Sequence, residues 1–357
     1  MLQQRATAMT REWAQDWGGE IRTTTQYHVR QVVFNESLVT DAGLEHLEEL
    51  PRLSSLVLRL GHSQVDEYGR RRLSDSPVTD SGLAHLKNLA NLNSLVLDIS
   101  GTQVTDAGLR HLRDLTNLKT ATLKLNGTQA TNIGLEHLSA LTHLYSLKLE
   151  LGDSRVSQAG LRSLAGLKDL RVLHLSGGAD SVVGNVPLKD LAGMTNLRTL
   201  YLDSGWATET GLEELMRGLP NLQSLHLSGA YVNDAALQHL KGRKNLRELH
   251  INSPVTDAGL RHLSDLTNLE SLTLHPYQQE RGRFPVTDAG LAHLAALTNL
   301  RRLHLKFSEI TDEGILHLEQ LSEMRDLWIF HARVTDSGWE RLQQALPNCS
   351  IRRERRR

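Results

Sequence analysis

VTDAGLRHLRDLTNLKTATLKL, residues 104–125, carries two patterns of different period. The first half reads Thr105-Asp106-Ala107-Gly108-Leu109-x-x-Leu112-x-x-Leu115. Leucines at i, i+3 and i+6 give a short helix one apolar stripe, and Thr-Asp is a good helix N-cap. The second half, Leu118-x-x-Ala121-x-Leu123, alternates as a short strand with one buried face does. Its more typical form is Leu92-x-x-Leu95-x-Leu97. One strand and one short helix cannot bury both stripes alone, whereas stacked copies can, their leucine ladders merging into one core.

The copies run the length of the chain. The first residue of the phrase falls at Val39, Val78, Val104, Ala130, Val156, Val183, Ala207, Val232, Val255, Val286, Ile310 and Val334, twelve units usually 23 to 27 residues apart. The gaps from Val39 to Val78 (39) and from Val255 to Val286 (31) are longer and contain insertions. A period in this range means a solenoid. The expected organisation is an N-terminal cap with a first strand over residues 1–37, a repeat array over 38–346, and the end of the last unit with a basic tail over 347–357. Strands are expected at Leu53, Leu92, Leu118, Leu144, Leu170, Leu197, Leu222, Leu246, Leu269, Leu300 and Met324, with an extra one at Val29 to Phe34. The segment with Trp13, Trp17 and Ile21 is expected to cover the open end of the core.

The Thr-Asp-x-Gly-Leu repeat resembles the leucine-rich-repeat family over roughly residues 28 to 346. It is similar to the repeats beside F-box domains, which usually carry a cysteine where this chain has Asn, as in Thr116-Asn117-Leu118. The cysteine-free form looks more like the bacterial proteins of planctomycete type. The resemblance implies an α/β fold, a right-handed leucine-rich-repeat solenoid shaped as a horseshoe, with a concave parallel sheet and convex short helices. Parallel strands about 4.8 Å apart on the inside, with bulkier helices outside, give such a curve.

Composition sets limits on function. Lys+Arg 40 against Asp+Glu 41 leaves no whole-molecule field to steer the chain toward nucleic acid or an anionic membrane. Cys349 is the single cysteine, so neither a disulfide framework nor a cysteine-based zinc site is expected. Residues 1–20 are mixed and polar, and no stretch approaches the roughly 20 apolar residues of a membrane span. Together these point to a cytoplasmic protein. Residues repeated at one register are read as structural. Asn before the strand leucine (91, 117, 196, 221, 245, 268, 299) is expected to satisfy turn backbone groups. The helix-register histidines (His46, His85, His111, His137, His239, His262, His293, His317) are expected to form a convex ladder bonded to loops.

Positions that do not repeat are more informative, because packing does not dictate them. Between the last two strand leucines stand Val57, Val96, Thr122, Lys148, His174, Tyr201, His226, His250, Thr273, His304 and Trp328, with His275, Phe330 and His331 just past the strands. From His174 onward the row becomes rings, and rings in a solvent-facing groove are what interfaces use as anchors. The binding candidates are therefore His174, Tyr201, His226, His250, His304, Trp328, Phe330 and His331. The alternative, a plain solvated sheet, stays open. A second candidate set lies in the two insertions, which emerge on one rim: Tyr68, Arg70, Arg71 and Arg72, then Tyr277, Arg281 and Arg283. Both are basic, which favours a partner with an acidic patch.

No constellation of residues in the chain reads as that of an enzyme. His226 and His250, on adjacent strands, can chelate together, but only His275 is in reach as a third ligand; no metal and no cofactor are expected. Ser228, His226 and Asp203 lack an oxyanion hole. The tail Arg352-Arg353-Glu354-Arg355-Arg356-Arg357 reads as a solvated end. The expected function is a non-catalytic protein-binding scaffold. The alternatives are the recognition subunit of a ubiquitin-ligase-like or effector system, or a glycan or cell-envelope binder.

Overall fold

The i, i+3, i+6 spacing of the leucines fits three residues per turn better than 3.6, and the helical layer follows it. In most units a four- or five-residue α-helix passes directly into a 3-10 turn, as Asp106–Leu109 does into Arg110–Asp114. Longer α-helices occur at Glu209–Gly218 and Asp336–Ala345. The computed structural model describes residues 19–25, 28–35, 39–61, 64–65, 71–72, 78–177, 188–203, 208–229, 232–275, 286–306, 309–330 and 332–353. The signature residues Val183 and Ala207 lie outside these, as do Trp13, Trp17 and the side chain of Ile21.

The chain divides into two units, Met1–Val183 and Gly184–Arg357. The first holds β1 (Gly19–Thr25), β2 (His28–Asn35), β3 (Ser55–Arg59), β4 (Gln64–Val65), β5 (Arg71–Arg72), β6 (Ser94–Asp98), β7 (Thr120–Lys124), β8 (Ser146–Glu150) and β9 (Val172–Ser176). Its sheet runs β1-β2-β3-β6-β7-β8-β9. All neighbours are parallel except β1, which pairs antiparallel with β2 at the edge. β4 and β5 form a separate antiparallel pair inside the first insertion. The second unit holds β10 (Thr199–Asp203), β11 (Ser224–Ser228), β12 (Glu248–Asn252), β13 (Ser271–His275), β14 (Arg302–Leu305), β15 (Asp326–Ile329) and β16 (Ser350–Arg353), parallel throughout and in chain order.

β2 is the expected extra strand, and Val32 and Phe34 on it are fully buried. The antiparallel β1 before it was not foreseen. The strands also begin two residues later than the first leucine of Leu-x-x-Leu-x-Leu. That leucine belongs to the turn, where Leu118 N donates to Leu115 O, and it is buried there. Within each strand the second and fourth residues point inward: Leu95 and Leu97, Leu147 and Leu149, Leu225 and Leu227, Leu303 and Leu305 are all at most 1% exposed. Burying a leucine fully is worth roughly 1.5–3 kcal/mol, so this repetition carries most of the stability.

The Thr-Asp-x-Gly signature has a more specific cause than helix capping. Thr alone caps its own helix, its hydroxyl accepting from the backbone N–H of Ala107 in the unit of Thr105. Asp reaches into the following unit instead. Asp106 Oδ1 accepts from Thr131 N at 2.7 Å and from Gly134 N at 2.9 Å, and Oδ2 accepts from the Thr131 hydroxyl at 2.6 Å. The same clasp links Asp41 to Thr79, Asp80 to Thr105, Asp234 to Thr256, Asp257 to Thr287, Asp288 to Thr311 and Asp312 to Thr335. The glycine follows from it, because a Cβ at Gly134 would sit 2.5 Å from Asp106 Oδ1. Where Asn132 stands in place of the aspartate, its Oδ1 accepts from Ser157 N at 2.8 Å; Gln158 and Glu209 occupy the same position in later units.

The Asn register behaves as expected. Its amide donates to a carbonyl of the preceding turn: Asn91 to Pro51, Asn117 to Ala90, Asn221 to Thr195, Asn245 to Pro220, Asn268 to Lys244 and Asn299 to Thr267, at 2.6 to 2.9 Å. Two of the helix-register histidines bond carboxylates on 3-10 turns instead of loop groups: His85 Nδ1 meets Glu48 of the preceding unit at 2.8 Å and His46 Nδ1 meets Glu49 at 3.4 Å. Among the described residues, no helix is long and apolar enough to cross a membrane.

Candidate functional site

Because inward and outward positions alternate along each strand, the residue between two buried leucines must face away from the helices. In the second unit that row is Tyr201, His226, His250, Thr273, His304, Trp328 and Arg352, in direct register from β10 to β16. The ring-bearing members are partly exposed, and none is tucked into the interior. Parallel register brings neighbouring rings face to face. Tyr201 stacks on His226 with centroids 4.0 Å apart, and His226 on His250 at 4.2 Å. Past Thr273, which is buried and lacks a ring, His304 stacks on Trp328 at 4.7 Å. Phe330 meets Trp328 edge-on at 5.8 Å.

The far end of this row differs from its reading as a solvated tail. Arg352 belongs to β16, and its guanidinium lies 4.5 Å from the Trp328 ring centroid, a cation–π contact. Arg353 pairs with Asp336 at 2.7 Å. Trp328 Nε1 is buried without a hydrogen-bond partner, so this ring keeps an unspent donor.

The polar residues beside the rings form a second row. His304 Nε2 lies 3.2 Å from Asp326 Oδ2. Arg302 donates to Glu248 Oε1 at 3.3 Å across the intervening β13, over the buried Ser271. Ser224 Oγ donates to Glu248 Oε2 at 3.1 Å and lies 3.0 Å from His226 Nε2. Since the hydroxyl proton goes to the carboxylate, the oxygen accepts from the imidazole N–H. A serine nucleophile needs the histidine between hydroxyl and carboxylate, and here the buried serine occupies the middle. Ser228, the hydroxyl considered from sequence, instead accepts from Asn252 at 3.3 Å.

Burial lowers the pKa of His250 from its ordinary value, helped by Arg302 and His304 and opposed by Glu248. Burial also lowers His275, with Lys306, His304 and His250 adding to the effect. Both shifts favour the neutral imidazole.

His174 sits on β9 of the first unit, in register with Lys148 and partly exposed. Of the insertion candidates, Arg71 and Arg72 form β5, and only their backbone is described; Tyr68, Arg70, Tyr277, Arg281, Arg283 and also His331 lie outside the described residues. The sequence reading does not include Glu248 or Ser224, and it places Arg352 in a solvated tail. Glu248 lies two residues before His250 on one strand, a same-face spacing that would have flagged it.

The leucine-rich-repeat family pattern matches residues 296–318. No curated relative matches the chain by sequence. An internalin from Listeria monocytogenes is similar in structure at TM-score 0.57 and 22% identity, covering 98% of this chain and 87% of the internalin. TLR13, solved as a complex with ssRNA13, is similar at TM-score 0.52 and 18% identity over 86% of this chain and 40% of its own. A leucine-rich-repeat protein of Leptospira interrogans gives 0.48 at 18% identity, over 86% of this chain and 74% of its own.

Proposed function

We propose that this chain, a leucine-rich-repeat protein, is a non-catalytic scaffold that binds a protein partner on the open face of its sheet. The observation that carries this reading is the stacked row Tyr201–His226–His250 and His304–Trp328, edged by Phe330 and Arg352. Stacking pre-orders these side chains, so little rotamer entropy remains to be lost on binding. Aromatic and arginine anchors of this kind concentrate binding energy. His174, on the first unit, is a further contact, and the insertions with Tyr68, Arg70, Arg71, Arg72, Tyr277, Arg281 and Arg283 supply basic contacts to an acidic patch. The RNA complex is a property of TLR13; the balance of 40 basic and 41 acidic residues argues against a nucleic-acid ligand here.

The test is affinity capture from the source cells with the full chain and with the Tyr201→Ala/Trp328→Ala variant, checked by circular dichroism for an intact fold. The partner should be retained by the parent chain and lost by the variant. Capture that is unaltered by the double substitution would remove the open face from the interface.

A further inference from the structure

Three donors on the second unit's open face come together as metal ligands do. His226, Glu248 and His250 each offer a ligand atom, and these atoms all lie within 4.8 Å of one another; among the described residues, no other three His, Cys, Asp or Glu side chains do so. The cause is topological. Glu248 and His250 are two apart on β12 and so share a face, while His226 is the registered neighbour of His250 on β11. Residues i and i+2 on one strand, with the opposite residue on the next, make the tightest triangle a sheet face can offer. His275, the one histidine the sequence leaves in reach as a third ligand, is in register with Asn252 and does not join.

We propose that His226, Glu248 and His250 form a binding site for a divalent cation of the zinc class. Two imidazole nitrogens and one carboxylate oxygen suit a borderline ion better than calcium or magnesium, which take oxygen ligands. Tetrahedral coordination with bonds of about 2.0–2.2 Å puts donors roughly 3.3 Å apart, so the side chains must draw together by up to about 1.5 Å from their present spread. The two imidazoles are stacked nearly parallel, 12° apart, so their in-plane lone pairs meet at one ion only after a ring turns about χ2, with His226 ligating through Nδ1 or giving up the Nε2 proton it donates to Ser224. Ser224, bonded to both His226 and Glu248, keeps these two side chains adjacent. A cation there would compete with Arg302 and Ser224 for Glu248, and three protein ligands would leave a position open on the face where the partner is expected. The site stands apart from the protein-binding reading, since its test uses the cation alone.

The experiment is calorimetric titration of the full chain, freed of metal by chelator, with Zn2+, together with Co2+ uptake followed by visible absorption. One site is expected, weakened at least tenfold by His226→Ala, by His250→Ala and by Glu248→Gln, and unchanged by His275→Ala and by the helix-side variant His293→Ala. Circular dichroism of each variant controls for folding, and a zinc-dependent rise in Tm seen only with the three donors intact is a second readout. Absence of uptake, or uptake that survives His226→Ala and His250→Ala, overturns the site. Uptake lost with His275→Ala but not with Glu248→Gln overturns the assignment of its third ligand.

Discussion

The open faces of the two units rest on the same strand register and carry different chemistry. In the first unit the row reads Val57, Val96, Thr122, Lys148 and His174, and its charges pair among themselves. Lys124 stands between Asp98 at 3.7 Å and Glu150 at 3.5 Å, and Lys148 lies 2.9 Å from Glu150. Such partly exposed pairs contribute little, about 0–1 kcal/mol each. In the second unit the row is stacked rings. The inward leucines of the two units are equally buried, so folding makes the same demand on both. What separates the faces is therefore not a requirement of the fold, which is why the difference points to function.

The comparison fails first if the cores are unequal. Leu147→Ala in β8 and Leu272→Ala in β13 remove fully buried side chains at equivalent positions, and each should cost about 2–5 kcal/mol. Urea unfolding followed by fluorescence and by hydrogen exchange of each unit measures both. Costs that differ by more than the scatter between variants would mean that the two units are not built alike.

A second break concerns the faces themselves. Losing an anchor ring should cost at least about 2 kcal/mol of partner affinity, roughly 30-fold, for Trp328→Ala. Thr122→Ala with Lys148→Ala should change affinity by no more than about twofold, since neither is an anchor. Surface plasmon resonance with the captured partner decides between them, and comparable losses on both faces would erase the distinction.

The clasp between units should be indifferent to which unit holds it. Asp106→Ala strands the backbone N–H groups of Thr131 and Gly134, and Asp288→Ala strands that of Thr311. About 1–3 kcal/mol is expected in each case. Replacing Gly134 by alanine in the Asp106→Ala background should be tolerated better than in the parent chain, because the oxygen that would meet the new Cβ is gone.

How much of this was legible follows from what repeats. Leucine spacing gave the strands, the helical layer and the outward row, because burial enforces period and register. The Asn register was legible for the same reason. The aspartate was misassigned to its own helix, since a clasp to the next unit looks in sequence identical to a cap. The antiparallel β1 escaped because its residues belong to no repeat. In the site, the ring row was visible as a row, but its division at Thr273, the docking of Arg352 on Trp328 and the position of Glu248 depend on distances across strands that no linear spacing states.

The smallest expected effect is also the most discriminating. His250 and His275 have pKa values lowered chiefly by burial, and both lie on the second unit. In the unfolded chain an imidazole titrates near about 6.5, so below that pH the native state binds fewer protons than the unfolded one. Their contribution is therefore fully present above about pH 6.5 and is lost as pH falls through the depressed native values. The first unit has His111, lowered in the same direction by burial and by Arg110 and Lys87, but on the helix side of the fold. Hydrogen exchange at about pH 7.5 and about pH 5.5 should show a larger acid loss of protection in the second unit. His250→Phe keeps a ring in the stack and removes the titrating group, so it should reduce that loss while leaving protection at the higher pH nearly unchanged. An undiminished acid loss in this variant would mean that the neutral imidazole of His250 is not what the stacked face requires.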